Sequence, residues 1–254
     1  MKRGQRPRRQ IVCVLVEGDS ERTALSQTLE ALYDEYNPEI MVYFPRLVDK
    51  QLDGDITVKK GINEKTIQGC IVKLFLKPFM EQEKLYAKDI KEIIHIVDLD
   101  GAYIDDSSIV FGQNPLGVEK VYYAENQIIT KNVDGIIERN ARKRENIDQL
   151  CSQTTLKVDT KTIPYSVYFF SSNLDHCLHN DANIIEGREK VEKAEKFAMQ
   201  FQDKPYDFVD AIKKLPGTLL DLTYEESWNF IRERGNHSLE RHTNINLFFV
   251  KLLG

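Results

Sequence analysis

No apolar run in this chain approaches the roughly 20 residues that a bilayer-spanning helix requires, so its 254 residues predict no membrane span. A basic opening followed by the apolar residues 11–16 has the order of a secretory signal. The apolar part is too short for one, and it ends in acid rather than at a small-residue cleavage site. The expectation is a cytoplasmic protein. Cysteine is scarce and scattered: Cys13, Cys70, Cys151 and Cys177 offer neither a disulfide framework nor a zinc pair. Three motifs are missing: Gly-x-x-x-x-Gly-Lys-Ser/Thr, Gly-x-Gly-x-x-Gly and Gly-x-Ser-x-Gly. Their absence excludes a P-loop ATPase within the chain and removes the usual marks of dinucleotide binding and of a serine hydrolase elbow. With 13 glycines, 8 prolines and 41% apolar residues, the composition is that of a globular chain and not of a disordered one.

Charge is present in quantity but unevenly. The formal net charge is −5, yet Lys2, Arg3, Arg6, Arg8 and Arg9 make a wholly basic tail, and Arg139, Arg142, Lys143 and Arg144 make a second basic cluster. Basic clusters on an acidic protein suit a polyanion such as a nucleic acid. The plainer reading, a solvated tail and a solvated helix face, stands beside it.

Acid is concentrated where strands end. Ile11-Val12-Cys13-Val14-Leu15-Val16 stops at Glu17-Gly18-Asp19-Ser20-Glu21, and Ile93-Ile94-His95-Ile96-Val97 stops at Asp98-Leu99-Asp100-Gly101. In an open parallel sheet both ends face the crevice where ligands bind. Carboxylates gathered there repel one another unless a cation lies between them, and Mg²⁺ takes oxygen ligands of this kind. Glu17 reads as a metal ligand or a general base. Glu21, one helical turn on, reads equally as a ligand or as an ordinary first-turn acid. Asp98 and Asp100 have the two-residue spacing that directs side chains to one face of a strand. Asp-Gly is also a common turn pair, which is their plainer reading. Asp105 and Asp106 read as solvated caps. His176, Cys177, His179 and Asp181 are close in sequence, but no second ligand pair lies nearby, and zinc is the weaker reading there.

The strand–Glu-Gly-x-x-Glu pattern followed by strand–Asp-x-Asp resembles the Toprim domain of topoisomerases, primases, OLD-family nucleases and the RloB-like proteins of bacterial defence islands. The likeness runs from Ile11 to Asp100, with weaker echoes at Tyr165-Ser166-Val167-Tyr168-Phe169-Phe170-Ser171-Ser172-Asn173-Leu174-Asp175-His176 and at Thr243-Asn244-Ile245-Asn246. It implies a Toprim-like parallel, Rossmann-like sheet, Mg²⁺ or Mn²⁺ as cofactor, and nuclease chemistry in which Glu17, Asp98 and Asp100 are catalytic. It implies further that Glu17, Glu21, Asp98, Asp100 and Asp175 approach the metal. Any ATPase would be a separate partner protein.

Alternating strands and helices predict an α/β fold with a parallel sheet. Strands are expected at 11–16, 40–44, 93–100, 118–123 and 165–170. Helices are expected at 20–36, 64–86 with a bend at Pro78, 127–153 with its basic cluster exposed, 174–179, 185–202, 206–214, 224–234 and 238–253. The segment 49–63 reads as a loop or small hairpin. The organisation is a basic tail over 1–10, a core over 11–180, and a helical C-terminal cover over 181–254.

The expected function is an Mg²⁺-dependent phosphodiester hydrolase acting on DNA or RNA; Arg22 reads first as a solvated helix arginine and second as a partner for a phosphate. Two rivals remain. Asp98-Leu99-Asp100-Gly101 resembles the first motif of haloacid-dehalogenase phosphatases, with Asp98 as nucleophile, although Ala102-Tyr103 departs from that pattern. A non-catalytic nucleic-acid-binding module is the other. If the tail neutralises phosphates, deleting residues 1–9 weakens binding alike for all sequences. It also flattens the salt dependence, by about 0.9 in log–log slope for each phosphate of duplex DNA that the tail neutralises. An unchanged slope marks the tail as a solvated terminus.

Overall fold

The computed structural model describes residues 10–46, 55–184, 187–233, 235 and 237–253. In chain order the elements are β1 (Gln10–Leu15), α1 (Asp19–Tyr36), β2 (Ile40–Tyr43), α2 (Ile67–Ile71), α3 (Lys77–Glu83), β3 (Ile90–Asp98), β4 (Ile109–Phe111), β5 (Tyr122–Tyr123) and β6 (Ile128–Thr130). Then follow α4 (Val133–Cys151), β7 (Thr155–Val158), β8 (Lys161–Ser171), α5 (Leu174–His179), α6 (Gly187–Gln200), α7 (Pro205–Lys213), α8 (Tyr224–Arg232), β9 (His242–Thr243) and α9 (Ile245–Leu253).

The main sheet has the order β2-β1-β3-β8-β7, with β9 also paired to β8. Strands β2, β1, β3 and β8 are mutually parallel, while β7 and β9 run antiparallel to β8. From β1 the chain goes outward through α1 to β2 and then returns to β3 on the other side of β1. The β1/β3 boundary is therefore a topological switch point, where a crevice opens at the carboxyl ends of the strands.

Side-chain alternation divides the core into two layers. Ile11, Cys13 and Leu15 of β1 pack with Ile93, Val97, Val167 and Phe169 beneath α2, α3, α4 and α8. Val12, Val14 and Val16 pack with Ile94, Ile96 and Phe170 beneath α1, α6, α7 and α9. The C-terminal third thus covers both faces, with Trp228 and Ile231 on one and Phe197, Phe208, Phe248 and Phe249 on the other. Both faces of the central strands are buried, which is why β1 and β3 read as unbroken apolar runs.

The α/β expectation holds, and several boundaries differ from it. The helix expected at 64–86 spans 67–83 and contains one π turn, Val72–Leu76, in which the Lys77 N–H reaches the Val72 carbonyl. Pro78 supplies no N–H and crowds the preceding turn, so the hydrogen-bond register slips there. The helix expected from 127 begins only at Val133, because Ile128–Thr130 forms a strand and Asn132 caps the helix by accepting the Gly135 N–H at 3.0 Å. The strand expected at 118–123 is confined to Tyr122–Tyr123. The helix expected at 238–253 is preceded by β9 and begins at Ile245. Short β4, β6 and β5 form a separate three-stranded sheet after Asp100, built on Ile104, Ile109, Ile128 and Leu239. These strands are too brief for periodicity to reveal. The basic tail, residues 1–9, lies outside the described residues.

Candidate metal centre

Parity along the strands decides which layer each acid enters. Glu17 continues the odd-numbered face of β1, toward α4. Its Oε1 accepts the Asp98 N–H at 3.0 Å, joining the ends of the two adjacent parallel strands. Asp98 continues the even-numbered face of β3, toward α1 and α5, where its Oδ1 accepts the Leu174 N–H at 3.1 Å. Two-residue spacing predicts that Asp98 and Asp100 point the same way, and they do not. The strand ends at Asp98, and Asp100 adopts a left-handed conformation with φ of 49°, which Asp tolerates better than most residues. Gly101 follows at φ 69°, where a Cβ would lie 2.6 Å from Leu239, so only glycine fits this turn. The turn swings the Asp100 carboxylate across to the α4 side.

There it meets Lys143. The Lys143 side chain is 0% exposed, and its Nζ lies 2.6 Å from Asp100 Oδ2, 2.8 Å from Asp55 Oδ2 and 3.6 Å from Glu17 Oε1. Oxygens of Glu17, Asp55 and Asp100 all lie within 4.8 Å of one another. Asp55 precedes a short 3₁₀ turn and caps it by accepting the Thr57 N–H at 2.8 Å. It belongs to a segment that reads only as a polar loop, and no sequence signal distinguishes it from the acids around it.

Lys143 corrects the expectation of an exposed basic cluster, and so do its neighbours. Arg139 donates to the Asp100 carbonyl at 2.9 Å and to the Tyr123 hydroxyl at 3.1 Å, and Tyr123 in turn donates to Asp100 Oδ1 at 3.3 Å. Arg142 donates to the Val58 carbonyl and Arg144 to the Ala102 carbonyl, each at 3.0 Å. Asn140 and Asn146, both buried on the same helix, donate to the Gly101 and Thr57 carbonyls. The basic face of α4 therefore fastens the two loops that carry Asp55 and Asp100. Backbone carbonyls leave no trace in a sequence pattern, which is why this face reads as one for nucleic acid. Arg22 pairs with Asp19. Asp19 does not cap α1; the N-cap is Gly18, with no side-chain cap bond.

The other expected ligands sit on the opposite side of the crevice. Glu21 and Asp175 are buried, and Lys190 Nζ lies 3.4 Å from Asp175 Oδ2. Gly18 leaves room for Glu21 to fold back, since a Cβ there would come within 2.7 Å of Glu21 Oε2. A cavity of about 280 Å³ joins the two sides, lined by Asp98, Asp100, Tyr123, Asn173 and Lys190 among others.

Electrostatics follow from burial and from too few cations. Burial, then the charges of Asp55, Asp98 and Asp100, hold the Glu17 carboxyl well above its usual range against the pull of Lys143. Asp98 is raised in the same way, by burial and then by Glu21 and Asp100. Asp100 goes down: burial acts to raise it, but Lys143 and Arg139 outweigh burial. The Lys143 ammonium is itself held well above its ordinary value, because Asp100, Asp55 and Glu17 outweigh the cost of burying it. The donor set is all carboxylate oxygen, which fits Mg²⁺ or Mn²⁺.

No protein-family model, no curated protein and no solved structure matches this chain. Among the described residues no helix is long and apolar enough to cross a membrane. The fold class is α/β, with a mostly parallel sheet flanked by helices.

Two outcomes test this electrostatic account. Lys143→Met leaves three partly buried carboxylates without their buried cation, so the protein in chelator should lose stability in a denaturant titration, by less than the roughly 3–5 kcal/mol of a fully buried pair. An unchanged midpoint would make the lysine incidental. Glu17→Gln keeps the acceptor for the Asp98 N–H and removes charge. Because the folded carboxyl is raised, the wild type carries a cost that appears as pH rises above the ordinary value of 4.5 and grows until the raised value is passed. In chelator, Glu17→Gln should therefore melt above wild type near neutral pH and level with it below 4.5. A gap that instead widened on acidification would contradict this.

Proposed function

We propose that this chain is a Mg²⁺- or Mn²⁺-dependent phosphodiester hydrolase of Toprim type that acts on a nucleic acid. The supporting observation is the meeting of Glu17 with the Asp98–Asp100 turn at the ends of adjacent parallel strands, completed by Asp55. The RloB-like resemblance supports a place in a phage-defence-like system, with any ATPase on a separate chain. Free Cys13, Cys70, Cys151 and Cys177 support a cytoplasmic setting.

A divalent cation, when bound, neutralises phosphate charge and lowers the pKa of a water. The chain's own groups do the rest. Glu17, Asp55 and Asp100 would hold the cation. Lys143 and Arg139 keep Asp100 ionised and therefore able to coordinate. As the alternative to ligation, Glu17 would orient or deprotonate the attacking water from the end of β1, where its Oε1 accepts the Asp98 N–H. Asp98 fixes the end of α5 through the Leu174 N–H. Lys190 lines the cavity and, beyond its pair with Asp175, would offer a cation there to a phosphate oxygen.

The phosphatase reading asks Asp98 to be a nucleophile. That reading leaves the convergence of Glu17 and Asp55 on Asp100 unused. Purified protein with Mn²⁺ should cleave single- or double-stranded DNA or RNA, and chelator should abolish cleavage. Asp100→Asn and Glu17→Gln should each lower the rate by at least about 100-fold, the scale of a lost general base or charge stabiliser. Binding without cleavage would point to the non-catalytic module. Hydrolysis of a phosphate monoester lost in Asp98→Asn, with diesters untouched, would point to the phosphatase.

A further inference from the structure

On the other side of the Asp100–Gly101 turn, a second group of donors converges that the hydrolase site does not use. His237 Nδ1 lies 3.0 Å from Glu240 Oε2, and His242 Nε2 lies 2.9 Å from the same oxygen. The three donor atoms lie within 4.8 Å of one another, and all three residues are partly buried. Phe230 fixes both rings: it stacks on His237 with centroids 4.0 Å apart and meets His242 edge-on at 5.0 Å.

His242 Nδ1 lies 3.2 Å from the Gly217 carbonyl, which can only accept. With Nδ1 donating to that carbonyl, the ring presents Nε2 toward Glu240 Oε2 at 2.9 Å as a candidate ligand atom. An outward Nδ1–H held by a backbone carbonyl is also the usual way a metal-binding imidazole is oriented. The support is closely built: Gly217 has φ of 80°, and a Cβ there would lie 1.7 Å from the Arg241 carbonyl oxygen and 3.0 Å from His242 Nδ1.

We propose that His237, Glu240 and His242 form a zinc site, separate from the carboxylate cluster and completed by a water. Two imidazoles and one carboxylate are a zinc donor set, whereas Mg²⁺ is served by oxygen alone. Tetrahedral zinc with bonds of about 2.0–2.1 Å separates its donor atoms by roughly 3.3 Å. The two nitrogen–oxygen separations lie within a few tenths of an ångström of that value, and the two nitrogens lie within 4.8 Å of each other.

The position gives the site its consequence. Between the ligands, the Ser238 carbonyl accepts the Gly101 N–H and Ser238 Oγ accepts the Tyr103 N–H, each at 3.0 Å. The His237 carbonyl accepts from Ser171 Oγ at 2.7 Å. Zinc would staple this segment against the turn that aims Asp100, so it acts as a structural clamp.

The test uses the full chain, stripped with chelator and titrated with Zn²⁺ by calorimetry, in wild type and in an Asp100→Asn background that disables the carboxylate cluster. One equivalent should bind in both, and Co²⁺ substitution should give the intense visible bands of a tetrahedral site. Glu240→Gln, which keeps hydrogen-bonding capacity toward the rings, and separately His237→Asn should each weaken Zn²⁺ by at least about tenfold, the scale on which even the outer partners of a ligand act. Two variants are used so that one misfolded protein does not decide the matter. Absence of stoichiometric Zn²⁺ in wild type would overturn the proposal. So would binding lost with Asp100→Asn but kept in Glu240→Gln. A melting temperature that responds to protonation of the histidines and not to Zn²⁺ would also overturn it, making the contact an imidazolium–carboxylate pair.

Discussion

One buried ammonium holds the site together. Lys143 is enclosed among Asp100, Asp55 and Glu17, and without it three carboxylates would meet at the end of a parallel sheet with no cation among them. An isolated buried lysine of this kind is costly, and its carboxylate partners recover that cost only where the geometry is close. Such geometry requires the loops of Asp55 and Asp100 to be fixed. The rest of α4 does this through Asn140, Arg142, Arg144 and Asn146, each bonded to a loop carbonyl. The helix is less a surface for a polyanion than the clamp on which the charge balance depends.

One lysine does not balance the whole cluster. Glu17 and Asp98 keep raised carboxyls, first through burial and then through the neighbouring acids, so the protein without metal carries the cost of ionising them there. Sites that perform chemistry commonly hold perturbed groups of this sort beside a cavity. The remaining negative charge is what a divalent cation would answer, and a cavity with Lys190 on its wall opens beside it.

Much of the frame is legible in the sequence. Apolar runs ending abruptly in acid mark β1 and β3, and Leu25, Leu29 and Leu32 mark the buried face of α1. The shared crevice of Glu17 and Asp98 follows from a parallel sheet, while their adjacency rests on the order β2-β1-β3, which the resemblance implies and the apolar runs do not. What escapes is of three kinds. Asp55 is recruited across a long sequence gap by a loop without pattern. The orientation of Asp100 depends on a left-handed residue followed by Gly101, so strand parity gives the wrong side. The partners of Arg139, Arg142 and Arg144 are carbonyls, which every residue has and no motif displays. Short strands such as β6 and β9 are set by their neighbours rather than by their own few residues.

The central claim is that the carboxylates at the β1/β3 switch point form one divalent-cation site. The most direct measurement is a crystal soaked in Mn²⁺, with data collected for anomalous scattering. The account predicts a single strong peak within about 2.0–2.3 Å of oxygens from Glu17, Asp55 and Asp100, with Lys143 still bound to a carboxylate beside it. An empty cluster at saturating Mn²⁺, with the Lys143 ammonium alone among the three acids, would contradict it and make the cluster a structural ion-pair network.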